Sequence, residues 1–457
     1  MKWLRAGLVA ACAAALAAVA AGTAGAGRSA DCSLHVLGSA RASTAETAAW
    51  NHVFAEFKAA YGCTVTATWQ GQFTDVAKNL NAAHLAHQTV DLVTTGTDAN
   101  DQAKAGNFLD ITKIVKRFAG RFSGGDLARF TIGGHIWAIP LGIDSTSVFF
   151  YNATLFKQLH LKTPKTFAQF VAVAKAIKTK AGMQPLTEGG KDTWEWPMWY
   201  MSTFSQTSHN RSIPELNRIL EGKRQFTAAD SVAALSALAK FGSSGLLTPT
   251  ALDTDENGAV AAFLQKKAAM FYDGTWVLPT LRSGRPTFQI GVFPFPLVVS
   301  AKGVVSQPNG APEGALAIPS FAPKADIPMA AQFLEFVSRK GPATEILTPL
   351  NPLVPSVKSV PSSKDPLAPI LRKQFLPHTI GWLDWIWPND VNNAVIQSIE
   401  GVLYNHQSAQ DAAKGMQSAL DTLKSQQNYR FDWWTTWSKD QWSKVEPSPV
   451  PKIQVKQ

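Results

Sequence analysis

The sequence predicts an α/β fold. Strand-like and helix-like apolar patterns alternate along the chain, and the first two strand patterns flank an amphipathic stretch long enough to be a crossover helix. A composition of 46% apolar and 17% charged residues places the chain among folded globular proteins. Its 457 residues suffice for two or three domains.

The elements follow in order. Residues 34–37 form a short apolar strand, and Ser43-Thr44-Ala45-Glu46 fits a capping box. Trp50, Val53, Phe54, Phe57 and Tyr61 then recur at helical spacing, and Gly62 suits the position just past a helix end. Residues 65–69 alternate as a second strand, with threonines on the other face. A strand-helix-strand unit makes the two strands parallel, with a right-handed crossover. Cys32 and Cys63 each stand two residues before the first apolar residue of their strand. Adjacent parallel strands therefore hold them side by side, and a disulfide needs little distortion.

The pattern continues with a helix over 73–87, a strand over 90–94 and a helix over 107–118. Gly133-Gly134 marks a hairpin turn. The alternation predicts a mostly parallel sheet. A second α/β unit starts near Asp144, with a strand over 147–151, a helical turn over 154–159 and an amphipathic helix over 166–180. Helices are predicted over 228–241, 258–265 and 329–338, and strands over 288–292 and 315–318. Past Pro349 the chain is proline-rich to residue 369, then helical and rich in tryptophan. No internal repeat is present.

The N-terminus reads as a targeting segment covering residues 1–26. Lys2 and Arg5 form the positive region, residues 6–21 the apolar run, and Ala24-Gly25-Ala26 a small-x-small cleavage site. No other run approaches the roughly 18 apolar residues of a membrane span. Leu8-Val9-Ala10-Ala11-Cys12 also resembles a bacterial lipobox, but the apolar run continues past Cys12, so a lipid anchor there is the alternative to a cleaved signal. Either way the protein is expected to be exported, to a periplasm or cell surface. In an oxidising compartment the remaining Cys32 and Cys63 form an even pair. The net charge of +10 and pI near 9.4 suit an anionic envelope or the steering of polar and acidic ligands. Without a basic run or an aromatic-basic motif, nucleic acid is not an expected partner.

Several stretches then fall into a familiar order. Residues 136–144 (Ile-Trp-Ala-Ile-Pro-Leu-Gly-Ile-Asp) precede Phe149-Phe150-Tyr151-Asn152, Leu155-Phe156 and Pro164-Lys165-Thr166-Phe167. Phe263-Leu264-Gln265-Lys266-Lys267-Ala268-Ala269-Met270 and Gly274-Thr275-Trp276 come later, followed by Ala317-Ile318-Pro319 and Ala330-Ala331-Gln332-Phe333-Leu334-Glu335-Phe336. This succession resembles the extracellular solute-binding proteins of ABC importers, in the branch that includes maltose-binding protein, over nearly the whole mature chain. The resemblance implies a two-lobed, periplasmic-binding-protein-like (type II) fold with a ligand cleft between the lobes. It implies a monomer that hands its ligand to a membrane permease, with no cofactor and no metal. Lobe one would comprise residues 33–139 and 313–348, lobe two residues 144–298 and 354–457, with hinge crossings near 140–144, 297–311 and 349–355.

In such a fold the loops at the carboxyl ends of parallel strands face the cleft. Here they offer Arg41, Ser43, Gln70, Thr97 and Asp98, with Asp144 at the first crossing. Ser43 and Asp98 could equally cap helices. The 15 tryptophans are the stronger indication. They cluster at Trp194, Trp196 and Trp199, at Trp276, at Trp382, Trp385 and Trp387, and at Trp433, Trp434 and Trp437, the last group suiting a terminal helix. An indole stacks on the C–H face of a pyranose, while carboxylates and amides bind its hydroxyl rim. Asp192, Glu195, Asp273, Asp384 and Asn389 stand among the rings. In the resembling family, aromatic residues near Trp196, Trp276 and the 382–387 stretch line the cleft. The expected ligand-binding set is Arg41, Gln70, Thr97, Asp98, Asp144, Trp194, Glu195, Trp196, Asp273, Trp276, Trp382, Trp385 and Asn389. Tryptophan is mostly buried, so core packing competes with cleft exposure for each ring.

Enzyme motifs are thin. His84 and His87 share a helix face without a third ligand at suitable spacing, and no Walker A, dinucleotide fingerprint or G-x-S-x-G elbow is present. The expected function is capture of a small polar ligand, foremost a sugar or oligosaccharide. The alternatives are a carbohydrate-active hydrolase with Glu195 and Asp384 as acid and base, or a binding protein for a polyol or phosphate ester, a weaker reading that the positive charge and Arg41 keep open.

Overall fold

The computed structural model describes residues 32–426 apart from 40–43, 72 and 97, and of Asn100 and Asp144 it describes the backbone. The strands are β1 (Ser33–Ser39), β2 (Thr64–Gln70), β3 (Leu92–Thr95), β4 (Thr131–Ile132), β5 (His135–Ile136), β6 (Ile139–Asp144), β7 (Ser147–Asn152), β8 (Gln184–Thr187), β9 (Ala268–Gly274), β10 (Ile290–Phe293) and β11 (Pro312–Ala317). They build a five-stranded sheet in the order β2-β1-β3-β11-β6 and a four-stranded sheet in the order β10-β7-β9-β8. Each sheet is the centre of one lobe.

The first βαβ unit forms as its pattern requires. Helix Thr44–Tyr61 buries Trp50, Val53, Phe54 and Phe57. Gly62 ends it at φ 67°, its N–H donating to the Lys58 carbonyl. β1 and β2 run parallel with Ser33 opposite Thr64, which brings the preceding Cys32 and Cys63 together in a disulfide with Cα atoms 4.7 Å apart. Gly133 and Gly134, both at positive φ, turn β4 into β5.

The mostly parallel sheet expected from the alternation is not what forms. β1, β2 and β3 are parallel, but β11 runs antiparallel to both β3 and β6, and in the other sheet β7 runs antiparallel to β9 and β10. β11 enters its sheet from the opposite lobe, so no right-handed βαβ crossover fixes its direction. The helix expected over 107–118 also differs. A six-residue helix, Ala99–Lys104, precedes it, and only Thr112–Val115 is helical within it. The Asp110 carboxylate accepts from Thr112 N (2.9 Å) and the Asn107 side chain donates to Gln102 (2.7 Å), so local polar bonds replace the helix ladder.

Period-two alternation assigns the second lobe's cores. On β7, Phe149 packs with Trp199, Tyr272, Phe293 and Phe295, while Val148 and Phe150 face Phe263, Phe271 and Phe288. Helices Asn389–Tyr404 and Ala409–Gln426 pack on Ala229–Ser243 and complete the first of these cores.

The lobes meet where three chain segments lie side by side. Ser145 N donates to Ala311 O (3.1 Å), Ser147 N to Asn309 O (2.8 Å), and Pro355 bridges Ile143. The approach is close at Gly142, where a Cβ would stand 1.5 Å from the Glu313 carbonyl oxygen. No helix among the described residues is long and apolar enough to cross a membrane.

Candidate ligand-binding cleft

A cleft of about 980 Å³, open solvent included, lies between the lobes. The first lobe contributes Phe73 and Thr74 from the start of the helix after β2, Asp98 and Asp101 from the N-cap and first turn of helix Ala99–Lys104 after β3, and Glu313 from β11. These are carboxyl-end positions of parallel strands, with one residue from the strand that joins the lobes. The second lobe contributes Trp194, Met198, Glu256, Trp276, Trp382, Asp384, Trp385, Asn389 and Asn392.

The four tryptophans form a continuous wall. Ring centroids are 5.7 Å apart for Trp194 and Trp276, 5.8 Å for Trp276 and Trp382, and 6.3 Å for Trp382 and Trp385. Short one-turn helices position them: Thr193–Glu195, Thr275–Val277 directly after β9, and Leu383–Trp385. Gly274 allows the Trp276 ring to fold back on the strand end, since a Cβ there would lie 2.0 Å from the indole. The Trp276 Nε1 donates to Glu256 Oε1 (2.6 Å). The indole nitrogens of Trp382 and Trp385 are buried without a hydrogen-bond partner. An apolar recess of about 640 Å³, open solvent included, adjoins the cleft and shares Phe73, Trp276 and Glu313 with it.

The cleft is acidic. Arg129, fully buried at the end of helix Gly124–Arg129, lies beside Asp98, Asp101, Asp384 and Glu313, and its guanidinium stacks 4.0 Å from the Trp385 centroid. Burial lowers the Arg129 pKa to about 9, against the pull of those four carboxylates. Burial raises Asp98, although Thr95 donates to its Oδ1 (3.1 Å). Burial, with Asp98 alongside, raises Asp101 to about 6, and burial raises Asp384 to about 7. Such a site combines aromatic faces with hydrogen-bond acceptors and a few donors, which suits a polyhydroxylated ring.

The family model for bacterial extracellular solute-binding proteins matches residues 52–370. The chain belongs to this family. Over 307 residues (66% of this chain and 70% of the relative) it is 25% identical to a multiple sugar-binding protein of Streptococcus mutans. Among solved structures it resembles a chitin oligosaccharide binding protein (TM-score 0.74, 23% identity, covering 86% of this chain and 98% of the other). It also resembles a sugar transporter from Bacillus licheniformis in complex with stachyose (TM-score 0.68, 16% identity, 84% and 98% covered). These likenesses show the two-lobed α/β fold.

Six of the residues expected at the site of this solute-binding protein line one cleft: Asp98, Trp194, Trp276, Trp382, Trp385 and Asn389. Others lie elsewhere. Trp196 is fully buried against Tyr404, because it opens helix Trp196–Thr207, which is buried on every side. Glu195 is buried, its Oε2 accepting from Gly189 N (3.2 Å). Asp273 is buried on β9, its Oδ1 accepting from Gly274 N (2.7 Å). Gln70 lines a separate surface hollow with Trp69 and Gly71. Arg41 and Thr97 lie outside the described residues, as do residues 1–26, Ser43 and Trp433, Trp434 and Trp437. Asp144 ends β6 opposite Pro312, and its side chain is not described.

The cleft also holds residues that sequence reasoning did not select. Asp101 follows Asp98 by one helical turn and could have been found from that spacing. Glu256 opens helix Glu256–Leu264 beside its N-cap Asp255. Glu313 carries no local signature, since only the pairing of β11 with β3 and β6 brings it to the cleft, and Phe73 opens the helix after β2.

Proposed function

We propose that this protein captures a sugar or oligosaccharide between its two lobes and delivers it, unaltered, to the permease of an ABC importer, acting as an exported monomer. One observation carries this reading: four linked tryptophans from one lobe face polar and acidic residues from the other across a single cleft. Aromatic faces take the C–H surfaces of sugar rings, and carboxylates and amides take the hydroxyls. The three relatives named above, a multiple sugar-binding protein, a chitin oligosaccharide binding protein and a sugar transporter, support the same ligand class.

In this reading lobe one comprises residues 33–139 and 313–348, and lobe two residues 144–298 with the chain from 354 onward. The crossings near 140–144, 297–311 and 349–355 act as the hinge, and ligand contacts made only on closure favour the closed form. The acidic lining disfavours a phosphate ester. The hydrolase reading needs Glu195 and Asp384 together on the cleft wall, whereas Glu195 is buried away from it.

Tryptophan fluorescence and thermal shift against mono- and oligosaccharides, polyols and phosphate esters test the proposal. A saturable response to one saccharide class, with the sugar recovered intact by mass spectrometry, is the expected result. Recovery of cleaved sugar would replace binding by hydrolysis. A response to phosphate esters alone would overturn the carbohydrate assignment.

A further inference from the structure

The cleft holds more acid than its neighbouring cations can balance. Asp98, Asp101, Glu313 and Asp384 all line it, and among the described residues the cations acting on them are the Arg129 guanidinium, shared by all four, and Lys104 at Asp101. Glu256 adds a fifth carboxylate, bonded to the Trp276 indole. No lysine, arginine or histidine stands among the described lining residues themselves. Like charges crowded in a partly dry site oppose one another's ionisation, and Asp101 and Asp384 are raised accordingly, with burial as the first cause.

A second observation is independent of this charge. Trp382 and Trp385 are 4% and 7% exposed, line the cleft, and leave their indole N–H groups without a partner. An indole N–H can only donate, so each calls for an acceptor that the protein does not supply. The wall therefore asks for hydroxyl or ring oxygens, and the carboxylates ask for a positive charge. The fold already places one cation in such a setting, since Arg129 stacks on Trp385 while lying beside the four carboxylates. A ligand ammonium would be stabilised in the same two ways, by the carboxylates and by aromatic faces.

Resting on the sugar-binding reading above, we propose that the preferred ligand is a cationic sugar bearing a free amine, of the glucosamine type, with its ammonium held by Asp101 and Asp384 and its ring against the tryptophan wall. An N-acetylated or unsubstituted sugar satisfies the indoles but leaves the carboxylates unbalanced. An anionic sugar makes the imbalance worse.

Isothermal titration of the mature chain at neutral pH with three matched β-1,4 series, glucosamine, N-acetylglucosamine and glucose oligomers of equal length, tests this. Glucosamine oligomers are expected to bind at least about tenfold tighter than either neutral series. Asp101→Asn and Asp384→Asn should each cost the amine series about tenfold more than they cost the neutral series. Should either variant fail to fold, the wild-type protein decides by salt dependence. Affinity for the amine series must fall with rising salt, and affinity for neutral oligomers must not. Neutral oligomers binding as tightly as their amine counterparts would overturn this inference while leaving the sugar-binding reading intact. Failure of every oligomer to bind would overturn both.

Discussion

The Arg129 guanidinium sits 4.0 Å from the centroid of the Trp385 ring, joining the first lobe to the second through a buried cation–π contact. Arg129 is fully buried and Trp385 nearly so. A desolvated contact of this kind contributes roughly 2 kcal/mol, enough to bias an opening and closing equilibrium. Arg129→Ala removes it and leaves Asp98, Asp101, Asp384 and Glu313 without their shared counter-charge. The variant is expected to populate a more open form, seen as a larger radius of gyration in small-angle scattering, and to lose saccharide affinity by about tenfold or more. An unchanged radius together with unchanged affinity would show that the contact does not couple to closure.

Trp276 is the centre of the aromatic wall, touching both Trp194 and Trp382 and bonded to Glu256. Trp276→Ala is expected to weaken saccharide binding by about tenfold or more, since aromatic stacking and its buried area are worth about 1–2 kcal/mol. The ring is only partly buried, so the free protein should stay folded. Trp276→Phe keeps an aromatic face and loses the indole N–H, and should fall between the two. Titration calorimetry on the three proteins separates stacking from the hydrogen bond. Gly274→Ala, which would push a methyl group into the indole, should mimic part of the loss without touching the ligand.

These residues also show what sequence could and could not reveal. The Cys32–Cys63 pairing was legible because one parallel register fixes both positions. Trp194, Trp276, Trp382 and Trp385 were legible as a group, because so many indoles exceed what a core needs. Which tryptophan faced the cleft was not. Helix Trp196–Thr207 is buried on all sides, so its sequence has no amphipathic period to say where Trp196 points. Strand direction was not legible for β11 either, since it returns from the other lobe and pairs antiparallel with both neighbours. Glu313 reaches the cleft by that same return, which no local pattern encodes.

The disulfide offers a test of lobe-one stability separate from binding. Cys32 and Cys63 are separated by 31 positions along the chain. By the chain-entropy argument, closing a loop of that length stabilises the fold by about 3–4 kcal/mol. Replacing both cysteines with serine should lower the denaturant midpoint by a matching amount. Saccharide affinity should change less than about twofold, because neither cysteine lines the cleft. A comparable loss of affinity would mean that the disulfide shapes the cleft as well as stiffening the lobe.

The last prediction concerns acid buried behind the tryptophan wall. Glu188 and Glu195 are both about 99% removed from solvent, each 1% exposed. Glu188 accepts from Trp199 Nε1 (2.8 Å), and Glu195 accepts from Gly189 N. Burial raises Glu188 to about 8, and burial with the nearby Glu188, Asp273 and Glu256 carboxylates raises Glu195 well above its ordinary value. In the unfolded chain both ionise near pH 4.3, so between that value and the raised folded-state pKa the folded protein binds more protons than the unfolded one. Stability must therefore fall as pH rises through this window, with the contribution fully present below it. The melting temperature is expected to drop between about pH 5 and pH 8. Glu188→Gln keeps an acceptor for the Trp199 indole and removes the titration, so it should flatten the slope and leave the variant more stable than wild type at the alkaline end. A wild-type melting temperature that rises over the same range, or a Glu188→Gln variant with the wild-type slope, would show that these carboxyls are not held neutral in the folded protein.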